Sequence, residues 1–202
     1  MKMNRPLINE NHPLILASAS PRRKRLLAQM GLPRRVVVSR VREESSPENP
    51  EDFCRNLALL KAKEVASREK GSWILGADTI VVIGDRVLGK PENQEDAQRM
   101  LSVLSGKDHR VITGFCVLDH SGVMAHCESV TTVVRFKCLN EEEIAGYIRT
   151  REPFGKAGAY AIQGVGSFMV ESISGSYTNV VGLPMCALIK ALVRCGALQP
   201  FP

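Results

Sequence analysis

The sequence predicts an α/β protein, because short apolar runs typical of strands alternate along the chain with longer stretches that carry helix signals. Strands are predicted at residues 14–18, 35–40, 73–83, 109–118, 124–136 and 168–173. Helices are predicted at residues 20–30, 49–70, 93–104, 140–147 and 183–195. No internal repeat or linker divides the chain, so we expect a single domain over residues 12–198, with loose ends at 1–11 and 199–202.

The helix starts follow from capping residues. Ser20 and Asn49 suit the N-cap, and the prolines after them, Pro21 and Pro50, suit the first helical position. Asn140 is expected to cap the fourth helix in the same way. Glycines end the first three helices, at Gly31, Gly71 and Gly106. Turns are predicted at residues 84–85 and 121–122.

Composition excludes several classes of protein. Hydrophobic residues make up 44% and charged residues 24% of the 202 residues, a globular balance that excludes wholesale disorder. No apolar stretch approaches the ~18–20 residues of a membrane span, and the first residues lack the apolar core of a signal peptide. We therefore expect a cytoplasmic protein that does not partner a membrane.

The charge balance points to an anionic partner. A formal net charge of +6 favours nucleotides, nucleic acid or anionic lipid, and a merely soluble basic protein is the alternative. Aromatic residues make up only 5% of the chain and do not interleave with basic residues. That pattern argues against a protein that binds single-stranded nucleic acid.

The cysteines predict neither a zinc site nor a disulfide framework. None forms a C-x-x-C pair, and no histidine cluster completes a metal site. Without a secretion signal, we expect reduced and mostly buried thiols. The six cysteines are Cys54, Cys116, Cys127, Cys138, Cys186 and Cys195.

The first predicted helix begins with four consecutive cations, at residues 22–25. A helix N-terminus carries partial positive charge, so cations there are unfavourable unless an anion binds. A strand, a tight turn and a helix N-terminus form a common phosphate site. Arg22 and Arg23 can add guanidinium hydrogen bonds, and Ser18 or Ser20 a hydroxyl. A solvated basic face is the alternative.

Asp78 lies inside the apolar run 73–83, where an ionised carboxylate is costly unless it is paired, bound to a metal or at a strand end facing a cleft. Near phosphate, such a carboxylate can hold a divalent cation or accept a proton from attacking water. A structural aspartate bonded to loop backbone is the alternative.

Three further features fit the same ligand class less specifically. Lys61 falls on the small or apolar stripe of its helix, which suggests an ammonium group delivered to a buried anion. Spacing alone slightly favours the alternative, a snorkelling side chain. The segments 88–91 and 155–164 are flanked by glycine, so their backbones can approach a ligand closely.

Together these segments resemble the Maf family of nucleoside triphosphate pyrophosphatases. The matching segments occur in the family's order and cover about residues 14–195. They are ASASPRR (17–23), KA (61–62), GADT (76–79), LGKP (88–91), AIQG (161–164) and GSYTNVVGLP (175–184).

The resemblance implies an elongated mixed β-sheet flanked by helices, with two lobes and a central cleft, often in a dimer. It implies hydrolysis between the α- and β-phosphates, which releases a nucleoside monophosphate and pyrophosphate and uses Mg²⁺ or Mn²⁺. Asp78 matches the family's proton acceptor. The polar and basic site positions are matched by Ser18, Arg22, Arg23, Lys61 and Lys90. The positions that choose the base are matched by Arg22, Thr79 and Gln163.

The family also has an acidic residue after the second strand, usually within Asp-Glu. Here Arg42 stands where aspartate is usual, so Glu43 is the better match for the metal-side carboxylate and Glu44 is the alternative. Together with Asp78, Glu43 is expected to hold the metal.

The Gln-Gly pair at residues 163–164 resembles the branch that hydrolyses dTTP and UTP. The Gln163 amide can accept from N3–H and donate to O4 of uracil or thymine, but a flipped amide suits cytosine equally. Two other functions stay open. One is a basic binding or regulatory protein linked to septum formation, and the other is a purine pyrophosphatase of the inosine triphosphate type.

Overall fold

The structure, a computed structural model, describes residues 6–41 and 49–200, and over these residues seven strands form one mixed sheet flanked by helices. The strands are β1 (Leu14–Leu16), β2 (Arg34–Val36), β3 (Ile74–Ile83), β4 (Arg86–Leu88), β5 (Asp108–Leu118), β6 (Met124–Phe136) and β7 (Val170–Ser174). The helices are α1 (Pro21–Gln29), α2 (Pro50–Arg68), α3 (Gln94–Leu104), α4 (Glu141–Arg149), α5 (Tyr177–Val181) and α6 (Met185–Arg194). Short 3-10 turns span Ala157–Ala159 and Val165–Met169.

The sheet has the order β2-β1-β3-β5-β6-β7, and β4 pairs with β3 outside this path. β1 pairs in parallel with β2 and β3, whereas β3 with β4 and β6 with β7 are antiparallel. The α/β class and the mixed sheet flanked by helices are therefore confirmed.

The helix starts that were predicted from capping residues are confirmed. Asn49 Oδ1 accepts a hydrogen bond from the backbone amide of Asp52 at 3.0 Å, and Ser20 caps α1 in the same way. Asn140 forms a full capping box with Glu143, whose side chain accepts in return from the Asn140 amide. These starts are predictable because the cap and its target lie three residues apart.

Several short elements differ from the prediction. β2 ends at Val36 rather than at residue 40, because its partner β1 ends at Leu16, which pairs with Val36. β4 and α5 were not predicted, since elements of three and five residues leave too little periodicity to detect. Phe168 lies in a 3-10 turn rather than in the strand that follows it.

The expectation of reduced and mostly buried cysteines is wrong. Cys116 on β5 and Cys127 on β6 form a disulfide, because these neighbouring strands bring their Cα atoms to 4.1 Å. Of the free cysteines, Cys54 is buried, whereas Cys138 and Cys186 are exposed. Strand pairing, which no cysteine spacing reveals, decides which thiols meet.

The chain divides into two compact units. The first unit comprises residues 1–78, 113–130 and 182–202, and the second unit comprises residues 79–112 and 131–181. The first unit contains a core around Ile15, Val65 and Ile74, and the second a core that includes Phe136 and Tyr147. The single domain over residues 12–198 stays a prediction. Among the described helices, none is both long and apolar enough to cross a membrane.

Candidate active site

Arg23 forms hydrogen bonds to two distant backbone positions of the first unit. Its side chain is only 8% exposed, although it belongs to the basic cluster at the start of α1. Nε donates to the Gly182 carbonyl at 2.8 Å, and Nη1 donates to the Ala77 carbonyl at 2.8 Å and to Ser18 Oγ at 3.1 Å. The guanidinium therefore fixes the backbone directly before Asp78 through charge-assisted hydrogen bonds.

The four cations of the basic cluster differ in how deeply they are buried. Arg23 faces inward, Arg22 is half-buried, and Lys24 and Arg25 are exposed. No acidic residue lies in the first turn of α1. Arg22 thus lies at a helix N-terminus whose partial positive charge favours an anion.

Helix α2 packs unusually close to strand β3 at Gly76. A Cβ atom at this position would lie 2.0 Å from the Ala58 carbonyl oxygen and 2.9 Å from the Ala62 amide nitrogen. Both are backbone atoms of α2 and cannot rotate away. Glycine at position 76 is therefore required for this packing.

The close packing brings Lys61 of α2 onto Asp78 of β3. Side chains alternate along a strand, so Asp78 shares the face of Gly76 that packs against α2. Lys61 Nζ lies 2.6 Å from Asp78 Oδ1, and the two side chains are 10% and 8% exposed. The ammonium group does not reach solvent as a snorkelling side chain requires, so the slight preference from spacing was wrong.

A buried pair of this kind has a definite chemical use. Desolvating two charges is costly, and their hydrogen-bonded contact offsets that cost. Because Lys61 holds Oδ1 and Arg23 holds the preceding carbonyl, the Asp78 carboxylate has a fixed position and direction. A fixed carboxylate can accept a proton from a water molecule or bind a cation.

In the second unit, the two glycine-flanked segments contact each other. The Gly158 amide donates to the Gly89 carbonyl at 2.9 Å, and a Cβ atom at Gly158 would lie 2.9 Å from the side chain of Val81. Thr79 shares a strand face with Val81. Lys90, which is exposed, directly follows Gly89. Half-buried Gln163 lies between the two 3-10 turns of this unit.

Comparison with known sequences identifies the family of this chain. A family profile described as Maf-like protein matches residues 13–195. This chain belongs to the Maf family. A dTTP/UTP pyrophosphatase of Syntrophotalea carbinolica is 54% identical over 191 residues, which are 93% of this chain and 87% of that relative. One of Geobacter sulfurreducens is 51% identical over 190 residues, 94% of this chain and 100% of the relative.

A solved structure shares weaker similarity with this Maf protein. It is the nucleoside-triphosphatase / dITP/XTP pyrophosphatase of Mycobacterium abscessus, with a TM-score of 0.37 and 14% identity. The alignment covers 61% of this chain and 72% of that one. Similarity at this level bears on neither fold nor activity.

All the site residues predicted from the sequence fall inside the Maf match. In the first unit, the structure brings Ser18, Arg23 and Ala77 together beside the Lys61–Asp78 pair. The predicted metal-side carboxylate Glu43, and its alternative Glu44, lie outside the described residues.

The described residues do not by themselves fit a divalent metal. Across residues 6–41 and 49–200, no group of three or more His, Cys, Asp or Glu side chains could hold an ion. Asp78 is the single described carboxylate of the predicted pair, and Lys61 already occupies one of its oxygens.

Sequence reasoning gave no role to residues 175–184, which the Maf resemblance included. Within them, fully buried Asn179 donates from Nδ2 to the Val111 carbonyl and to Thr132 Oγ1, both at 3.0 Å. The Gly182 carbonyl accepts from Arg23. The segment thus stabilises the framework around the site. The one sequence signal of this structural role is a polar asparagine directly before two valines, because a buried amide needs hydrogen-bond partners.

Proposed function

We propose that this Maf protein hydrolyses dTTP and UTP to the nucleoside monophosphate and pyrophosphate. The buried ion pair of Lys61 and Asp78, with its 2.6 Å contact, supports the catalytic part of the proposal. The names of relatives that are 47–54% identical over at least 93% of this chain support the choice of substrate.

In the proposed reaction, Asp78 is the proton acceptor. A water oxygen forms a bond to the α-phosphorus, the bond from that phosphorus to the bridging oxygen breaks, and pyrophosphate leaves. The proton of the water passes to Asp78, whose orientation Lys61 fixes. A positioned base of this kind contributes about 10²- to 10⁴-fold to the rate.

The phosphates need several cations, because one close pair supplies at most about 4 kcal/mol at an effective dielectric constant near 20. We assign this role to Arg22, Lys61 and Lys90, with the Ser18 hydroxyl and the N-terminus of α1. Arg23 was expected to bind phosphate as well. Its contacts with Gly182, Ala77 and Ser18 add a role in positioning the strand end, and phosphate binding by Arg23 stays part of the proposal.

Base recognition is assigned to Gln163, Thr79 and Arg22. The Gln163 amide would accept from N3–H and donate to O4 of the base. A divalent cation, Mg²⁺ or Mn²⁺, belongs to the proposal through Asp78 and Glu43, or Glu44 in its place. When bound, it would neutralise charge on the leaving pyrophosphate. The dimer and the cytoplasmic location stay predictions, and light scattering of the purified protein tests the first.

The decisive experiment measures pyrophosphate release from purified protein with Mg²⁺ and each nucleotide in turn. We expect turnover of dTTP and UTP, and we expect Asp78→Asn to lower kcat by about 10²- to 10⁴-fold while the protein stays folded. Asp85→Asn, in an exposed turn, is the matched control and should retain wild-type turnover. A folded Asp78→Asn protein with normal turnover would refute the assignment.

The same assay separates the two alternatives. Preference for inosine triphosphate would indicate a purine pyrophosphatase. Salt-sensitive DNA binding without turnover of any nucleotide would indicate a binding protein. Removing the metal with a chelator should abolish turnover, and Glu43→Gln should raise the Mg²⁺ concentration needed for half-maximal rate more than Glu44→Gln does.

A further inference from the structure

The turn that carries Gln163 is anchored on both sides, by one side chain from the last turn of α4 and one from the residues that follow this helix. Before Gln163, the Ala161 amide donates to the Tyr147 hydroxyl at 3.1 Å. After it, the Gly166 amide donates to Glu152 Oε2 at 3.3 Å. Both acceptors belong to the second unit, as does the turn over residues 161–166.

The turn also touches these two side chains through its glycines. A Cβ atom at Gly164, whose φ is +82°, would lie 2.5 Å from Glu152 Oε1. A Cβ atom at Gly166 would lie 2.6 Å from the Tyr147 hydroxyl oxygen. Glycine therefore allows the backbone of the turn to contact both polar groups directly.

The Tyr147 side chain and the backbone of Glu152 are themselves held in place. Tyr147 is 2% exposed, so its hydroxyl is held inside the core of the second unit. The Thr150 hydroxyl donates to the Tyr147 carbonyl at 2.6 Å and accepts from the Glu152 amide at 3.1 Å. Lys156 donates to the Glu152 carbonyl. The segment from 147 to 156 is thus held by its own hydrogen bonds and forms a rigid support that contacts the turn.

A rigid support matters because a glutamine amide is nearly symmetric in shape. In one orientation it complements uracil and thymine, and rotated by half a turn it complements cytosine. A loosely held turn would let Gln163 approach the base at several depths and angles, and both orientations would then bind. The half-turn takes place about the side-chain bond to the amide, so a fixed backbone contributes to selectivity by setting one depth and one angle at which that amide meets the base.

We propose that Glu152 and Tyr147 are positioning residues that give the enzyme its preference for thymine and uracil over cytosine by holding the Gln163 turn. This inference rests on the proposed function, because it assumes that Gln163 reads the base. Neither side chain is assigned a contact with the substrate. Their effect passes through the Ala161 and Gly166 amides.

The test compares kcat/KM for dTTP with kcat/KM for dCTP in a set of variants. Glu152→Ala removes an acceptor of the kind worth ~1 kcal/mol or more, so we expect the dTTP preference to fall about 5- to 10-fold. The loss should appear as a higher KM for dTTP with kcat changed less than 2-fold. Glu152→Gln keeps an acceptor oxygen and should restore most of the preference. Tyr147→Phe, which keeps the buried ring, should lower it.

Two controls make the result decisive. Glu142→Ala removes an exposed carboxylate from the first turn of α4 and should leave the preference unchanged. Gln163→Ala sets the largest loss that any positioning variant can cause. If Glu152→Ala and Tyr147→Phe lower the Tm but leave the preference within 2-fold of wild type, their role is structural only and the inference is overturned.

The experiment distinguishes a failure of the proposed function from a failure of this inference. Wild-type protein without turnover of any pyrimidine triphosphate would refute that function and this inference with it. Wild-type turnover with an unchanged preference in the variants would refute the inference alone.

Discussion

Replacing Gly76 with alanine should damage stability and activity together, because Gly76 sets the distance between α2 and β3. The new Cβ atom would lie 2.0 Å from the Ala58 carbonyl oxygen, whereas carbon–oxygen contacts are comfortable only beyond about 3.2 Å. Helix α2 must therefore move away from the strand by about 1 Å. Overpacking of this size costs roughly 1–3 kcal/mol of unfolding free energy.

The same displacement should weaken the proposed catalytic pair. Lys61 lies on α2 between the two contact positions, Ala58 and Ala62, so it moves with them. A shift of about 1 Å would take its 2.6 Å contact with Asp78 beyond the usual ~3.2 Å limit of a hydrogen bond. A misplacement of about 1 Å can cost 10²-fold in rate. We expect kcat for dTTP to fall by about that factor.

Urea unfolding and pyrophosphate release from dTTP measure the two effects. Gly146→Ala is the matched control, because its Cβ atom would meet only Arg149 Nη2, at an ordinary 3.5 Å. This helical substitution should stabilise the protein by about 0.5–1 kcal/mol and leave turnover unchanged. A Gly76→Ala protein with wild-type stability and turnover would show that α2 can shift freely, and the argument for fixed Lys61–Asp78 geometry would fail.

Three further outcomes are expected from urea unfolding. Burial lowers the pKa of His109 from 6.5 to about 4, so as the pH falls the unfolded chain binds a proton before the folded protein does. The free energy of unfolding should therefore fall by about 3 kcal/mol between pH 7 and pH 4, and His109→Gln should lack this part of the pH dependence. Lys61→Met should lower the free energy of unfolding by about 3–5 kcal/mol, because it leaves Asp78 buried without its cation. Adding Asp78→Asn should recover much of that loss. Additive effects of the two substitutions on the free energy of unfolding would contradict the pairing. Reducing the Cys116–Cys127 disulfide should lower stability by at most about 3 kcal/mol, and the double alanine variant should not respond to reductant.

Local chemistry explains which parts of this fold were predictable. Helix starts at Ser20 and Asn49 were predicted correctly because a cap bonds to an amide three residues away. Lys61 and Asp78 could be singled out because each is a charged residue in an apolar pattern. Lys61 is a cation on the apolar stripe of a helix, and Asp78 is an acid inside an apolar strand. Their direct contact could not be predicted, because it depends on the close approach of α2 at Gly76.

Contacts between distant residues account for the rest. The sequence placed Arg23 with the predicted phosphate-binding cations but gave no sign of its acceptor at Gly182, which lies 159 residues further along the chain. The disulfide likewise depends on the pairing of β5 with β6 rather than on any cysteine motif. Such contacts are decided by tertiary packing, about which a single sequence carries little signal.

The bond from Arg23 to Gly182 also constrains the order of events during synthesis. The first unit draws on the beginning, the middle and the end of the chain, at residues 1–78, 113–130 and 182–202. A nascent polypeptide on the ribosome therefore lacks one acceptor for Arg23 until Gly182 has been translated. These hydrogen bonds of Arg23 are therefore completed only after about nine-tenths of the chain has been translated, so truncated products should lack a completed site.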